Sequence, residues 1–177
     1  NCDIETSLIR FKPIMNKAVR NKLPVRGYIS CVSHCPYEDY VDPSKVAEIA
    51  NKLINMGCYE VSLGDTTGKG NAEQTLKVIK ECLNFINPKF LAGHFHDTYQ
   101  NALDNIKVCI ESGIRTFDSS VGGLGGCPYS PGAKGNVATE KVNELVLSMG
   151  YKTNLDSLKI NECSHIAKQL KMIGSCS

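Results

Sequence analysis

Apolar and polar positions along this chain switch repeatedly between helical spacing and the short runs of buried strands. Ile4, Leu8, Phe11, Met15 and Val19 fall on one stripe at helical spacing, which predicts a helix over 4–20. Residues 25–31 read as a first strand. Asp42-Pro43 pairs a capping side chain with a residue whose φ is already helical, opening a helix that runs to about Met56 and stops at Gly57. A second strand over 59–63 leads into Gly64-Asp-Thr-Thr-Gly68, and a helix follows over 71–84. The third strand spans 90–96, with a helix over 98–112 before Gly113, and the fourth spans 116–121. After a glycine-dense loop, Thr139 is expected to cap a helix to about Met149, and a last helix covers Asp156 to about Leu170.

Strand and helix therefore alternate, with no sign of antiparallel hairpins, and such alternation predicts a parallel sheet covered by helices. A dinucleotide-binding fold is disfavoured, because Gly64 to Gly70 has the wrong glycine spacing and no acidic partner downstream. Polar residues gather instead where strands end, at Tyr28, Asp65, His94 with His96, and Cys127. In a (β/α)8 barrel that end carries the active site, and a whole barrel takes eight strands and about 250 residues. The expected fold is α/β, a partial (β/α)8 TIM barrel. Residues 1–152 would form the half-barrel and 153–177 a C-terminal helical extension.

Composition narrows the function. Hydrophobic residues make up 42% of the 177 and charged residues 21%, ordinary for a globular protein. A net charge of +2 gives no footprint for nucleic acid or an anionic membrane, and no apolar run approaches the roughly 18 residues of a membrane span. The nine cysteines are odd in number and scattered over helical and strand patterns, which points to reduced thiols in an intracellular compartment rather than a disulfide framework. Cys31 and Cys35 lack a second pair at zinc-site spacing and read as loop and core thiols; Cys176 reads as a free tail thiol or, less simply, as half of a regulatory disulfide between subunits. The chain opens at Asn1 and runs almost at once into a helical pattern, as expected of a piece of something longer.

The chemistry concentrates in two places. His94 and His96 stand two apart on a strand, so both point to one face, where they would grip a cation or make structural hydrogen bonds. Asp97 follows, and Asn136 closes a nearby loop with a hard amide oxygen; the group favours metal. Cys127 sits in Gly122-Gly-Leu-Gly-Gly-Cys-Pro-Tyr129 as either an exposed, activated thiol or a buried loop residue. Asp65 would orient a ligand or cap the turn after its strand, the cap being the simpler reading. Lys69 and Lys134 are isolated lysines of the solvated kind.

The run Gly122-Gly-Leu-Gly-Gly-Cys-Pro-Tyr, continuing through Gly132-Ala-Lys-Gly-Asn-Val-Ala-Thr-Glu140, resembles the signature of the 3-hydroxy-3-methylglutaryl-CoA lyase family. Arg26-Gly-Tyr-Ile-Ser-Cys31, Cys35-Pro-Tyr-Glu38, Met56-Gly-Cys-Tyr-Glu60, Leu63-Gly-Asp-Thr66 and His94-x-His-Asp-Thr-Tyr99 are similar to that family in the same order, over residues 1 to about 150. The resemblance implies the last four β-α units of a barrel that cleaves 3-hydroxy-3-methylglutaryl-CoA to acetyl-CoA and acetoacetate. It implies a divalent cation (Mg2+ or Mn2+), His94, His96 and Asn136 as its ligands, and Cys127 as the catalytic thiol. Tyr28, Asp65 and Glu140 would line or support the site. It also implies an acyl-CoA substrate, a homodimer at full length, and a mitochondrial matrix location in a eukaryote or a cytoplasmic one in a bacterium. Lys134 stands where the family usually has a small residue, and Gln100 where glycine is common. No strand here matches the family's first, which carries an arginine-aspartate pair. The chain alone is therefore expected to bind metal weakly and turn over little.

Overall fold

The computed structural model describes residues 2–126 and 135–174. Cys127, Lys134 and Cys176 lie outside the described residues. Helix α1 (Ile4–Arg20) begins where the Asp3 carboxylate accepts from the Thr6 N–H at 2.7 Å. It is followed by β1 (Arg26–Ile29), the short strands β2 (His34–Cys35) and β3 (Asp39–Tyr40), and α2 (Pro43–Asn55). Then come β4 (Glu60–Asp65), α3 (Ala72–Leu83), β5 (Leu91–Phe95), α4 (Ala102–Glu111) and β6 (Thr116–Asp118). Besides a 3-10 turn at Pro88–Phe90 ahead of β5, a second at Val121–Gly123, α5 (Thr139–Ser148) and α6 (Ser157–Gly174) complete the order.

Strands β1, β4, β5 and β6 form one sheet in that order, every neighbouring pair parallel. Register decides what each face carries. Arg26 pairs with Glu60, Tyr28 with Ser62, Gly64 with His94, and His94 with Asp118, so one face is polar. The intervening residues Ile29, Val61, Leu63, Leu91 and Phe95 belong to the core, packed with Val46 and Leu53 of α2, Val78 and Ile79 of α3, and Ile106 and Ile110 of α4. Helix α3 is held by a reciprocal cap, in which the Asn71 side chain accepts from Gln74 N–H and the Gln74 side chain accepts from Asn71 N–H. Helix α6 packs against α5 and the second 3-10 turn.

Four expectations change. Strands β2 and β3 are an antiparallel pair, His34 opposite Tyr40 and Cys35 opposite Asp39, so a hairpin is present after all. Two-residue strands around Cys35-Pro36 carry no alternation to read. In α1 only Leu8, Met15 and Ala18 are buried, while Ile4, Phe11 and Val19 are exposed, so the helix buries a narrower stripe than its pattern suggests. Thr139 does not cap α5; that position falls to Ala138, and the Thr139 hydroxyl bonds with that of Ser119 at 2.9 Å. Helix α4 starts at Ala102 rather than 98, preceded by a turn in which Gln100 adopts φ 63°. That left-handed backbone suits glycine, the residue the resemblance led one to expect there.

Candidate active site

The polar face of the sheet is organised around one guanidinium. Arg26 Nε donates to Glu60 Oε1 at 2.6 Å, and Nη1 donates to both oxygens of Asp118 at 2.8 and 3.0 Å. Nη1 also contacts the Tyr28 hydroxyl. Burial works against the charge on Arg26, but Asp118 and Glu60 overrule it and hold the group more firmly protonated than usual. Asp118 Oδ2 additionally accepts from Ser62 Oγ at 2.9 Å and lies 3.3 Å from His94 Nδ1. The Arg26 Nη2 is buried without a partner among the described residues.

The two histidines are brought together as their spacing required. Their ring centroids are 5.5 Å apart, and Tyr28, 58% exposed, meets His94 edge-on at 6.4 Å. His96 lies just past β5 and is only 6% exposed. Burial, and then the neighbouring His94, push its pKa below the ordinary histidine value, against a smaller opposing effect of the Thr66 backbone. Its Nδ1 is buried with no hydrogen-bond partner among the described residues. Asn136 comes alongside through a bridge to His96, flanked by Val137 N–H to Phe95 O at 3.1 Å and Asp97 N–H to Gly135 O at 2.8 Å. Its Nδ2 donates to Leu124 O at 2.9 Å, which fixes the nitrogen end of the amide.

Two glycines make these approaches possible. Gly68 has φ 68°, and a Cβ there would lie 2.9 Å from His96 O. Gly125 has φ 89°, and a Cβ there would lie 2.8 Å from Asn136 Nδ2. Asp65 proves to be a turn-former. It is fully buried and accepts from Gly70 N–H at 3.0 Å and from Ser33 Oγ at 3.2 Å. Burial raises its pKa above the ordinary carboxylate value despite those bonds. Its carbonyl receives His96 N–H at 3.4 Å, so it braces the histidine from behind rather than facing it. Glu140 is also a brace. It accepts from Gly122 N–H at 3.1 Å and from Ser164 Oγ, and pairs with Lys168 at 3.6 Å. Burial raises its pKa, but these partners prevail and leave it below the usual carboxylate value. Asp97 pairs with Lys141 at 3.6 Å, and Lys69 is exposed.

Among the described residues, no three His, Cys, Asp or Glu side chains cluster to hold a metal ion. The expected set differs from such a cluster in drawing its third ligand from an amide. The buried His96 nitrogen, unpartnered among the described residues and beside His94 and Asn136, fits a divalent cation. Burial raises the pKa of Cys58, Cys82 and Cys109, that of Cys82 to about 12, which makes them poor nucleophiles. The sequence did not single out Arg26, Glu60 or Asp118, since their contacts join residues far apart in the chain. No helix among the described residues is long and apolar enough to cross a membrane.

A parallel α/β sheet covered by helices, with a histidine pair at a strand's C-terminal end braced by glycine turns, places the chain among α/β proteins whose sites sit at strand ends. The chain belongs to the HMGL-like family, which it matches over residues 1–167. It is 49% identical to the hydroxymethylglutaryl-CoA lyase of Pseudomonas mevalonii over 156 residues, 88% of this chain and 52% of that protein. The HMG-CoA lyase structure from Brucella melitensis superposes with a TM-score of 0.94 at 45% identity, covering 97% of this chain and 61% of the other. An Acinetobacter baumannii HMG-CoA lyase solved with coenzyme A and 3-methylmalate matches at TM-score 0.88 and 30% identity, over 96% of this chain and 55% of that one. The chain spans about half the length of the curated relatives it matches.

Proposed function

We propose that this chain forms half of a (β/α)8 lyase barrel that cleaves 3-hydroxy-3-methylglutaryl-CoA into acetyl-CoA and acetoacetate. The observation that carries the reading is the pairing of the His94 and His96 rings beside the backbone bridge to Asn136, with the His96 Nδ1 buried and unpartnered among the described residues. These three side chains would hold Mg2+ or Mn2+, and a cation there supplies Lewis acidity toward the substrate's tertiary hydroxyl and a neighbouring carboxylate oxygen. Both imidazoles and the amide are neutral ligands, so they leave the ion's charge for the substrate.

Breaking the carbon–carbon bond removes the hydroxyl proton and releases the acetyl-CoA fragment as an enolate. Cys127 gives a proton to the enolate carbon, assistance of a kind that contributes about 10²–10⁴-fold. Glu140 anchors the start of the cysteine loop through Gly122. Asp65 holds the turn that backs His96. Tyr28, tethered to Arg26 and edge-on to His94, lines the mouth of the site. The remainder of the barrel comes from the half of the relatives that this chain does not span, and the full-length enzyme would be a dimer.

The test is a cleavage assay with Mg2+ or Mn2+ on the chain joined to the part of the Pseudomonas mevalonii lyase it does not match. Acetoacetate should form from 3-hydroxy-3-methylglutaryl-CoA, and Cys127→Ala should keep metal binding while losing about 10²-fold or more of kcat. Condensation of acetyl-CoA with a 2-oxo acid in place of cleavage would assign a Claisen-type synthase instead. Undiminished turnover in Cys127→Ala would remove the thiol from the mechanism.

A further inference from the structure

We propose that Asp118 is a positioning residue that sets the tautomer and ring orientation of His94, through a carboxylate clamped by Arg26 and Ser62. The inference rests on the reading of His94 as a metal ligand and extends it to a residue outside the ligand set. Asp118 ends β6 directly opposite His94 in the sheet register. Its Oδ2 lies 3.3 Å from His94 Nδ1 and also accepts from Ser62 Oγ at 2.9 Å. Arg26 Nη1 donates to both Asp118 oxygens, at 2.8 and 3.0 Å.

That arrangement has a direction. An oxygen with a guanidinium and a hydroxyl already donating to its carboxylate is an acceptor, so the His94 nitrogen facing it carries the proton. The lone pair is then on Nε2, the nitrogen left for a cation. A carboxylate behind a ligating imidazole also raises its basicity, and loss of such a partner typically lowers metal affinity about 10–100-fold. Glu60 provides the contrast. It holds the same Arg26 through Nε at 2.6 Å, and its only bond in this network is to that guanidinium. Removing the charge of Glu60 therefore perturbs the field while leaving the bond to His94 in place.

The experiment uses 15N-histidine labelling of the whole chain, with long-range 1H–15N NMR reading the His94 tautomer without metal and EPR reading Mn2+ affinity. Wild type should show Nδ1–H at His94. Asp118→Ala should move His94 toward the Nε2–H form and weaken Mn2+ binding about 10–100-fold. Glu60→Gln should leave both readouts within about twofold of wild type. An Nε2–H tautomer in the wild-type chain overturns the proposal even if Asp118→Ala fails to fold, as does an unchanged tautomer in a folded Asp118→Ala. Equal loss in Glu60→Gln would reassign the effect to net charge and overturn the positioning role. A tautomer shift with no Mn2+ binding by any variant would support the orientation of His94 and sink the metal reading on its own.

Discussion

The two faces of the one sheet obey different rules, although their residues alternate along the same four strands. On the helix-covered face, Val61, Leu63, Leu91 and Phe95 are defined by volume and are buried in a continuous apolar cluster. On the other, Arg26, Glu60, Ser62, His94 and Asp118 are defined by partner, each bonded to a residue on another strand of the sheet. An apolar position tolerates another side chain of similar volume. A clustered charge is set by the geometry of its partners rather than by volume, and such a network is weak evidence for stability. The fold rests on the first face and the chemistry on the second.

The sharpest way to break this division is to damage the first face alone. Leu91 is fully buried, and Leu91→Ala should cost about 2–5 kcal/mol of unfolding free energy, measured by urea denaturation. Mn2+ affinity of the folded fraction should not move. His94→Ala is the mirror experiment. Its unfolding free energy should change by about 1 kcal/mol or less. Its Mn2+ affinity should fall by at least about 100-fold, worth about 2.7 kcal/mol. A large stability loss with intact metal binding would erase the distinction between the faces.

Glu140 sharpens the comparison at lower amplitude, because it serves the loop from outside the sheet. Its folded pKa lies below its unfolded value, so its contribution is present above the ordinary carboxylate pKa and lost as pH falls through the folded one. Glu140→Gln should destabilise by about 1 kcal/mol at neutral pH, the difference closing in acid as the wild-type carboxyl protonates. Parallel thermal melts of the two proteins across that range would show it. A gap that widens in acid would contradict the assigned bonds.

What the sequence made legible follows from the range over which each interaction acts. The four parallel strands, the Asp42-Pro43 helix start and the shared face of His94 and His96 depend on spacing within a few residues, and they stand in the structure as read. Asp65 was correctly weighed as a turn-former for the same reason. The Arg26–Asp118 pair joins residues 92 apart on the two outer strands of the sheet, so no local pattern announces it. The hairpin at His34–Tyr40 escaped because its strands are too short to alternate. Thr139 looked like a cap, but its hydroxyl was taken by Ser119, a partner 20 residues earlier in the chain.

The proposed lyase chemistry requires His94, His96 and Asn136 to hold one ion. Pulsed EPR of Mn2+ bound to the chain, with histidine alone labelled by 15N, reads that directly. Couplings from two 15N nuclei, reduced to one in either His94→Ala or His96→Ala, are the expected result. A Mn2+ signal with no histidine 15N coupling would contradict the site and the lyase chemistry built on it.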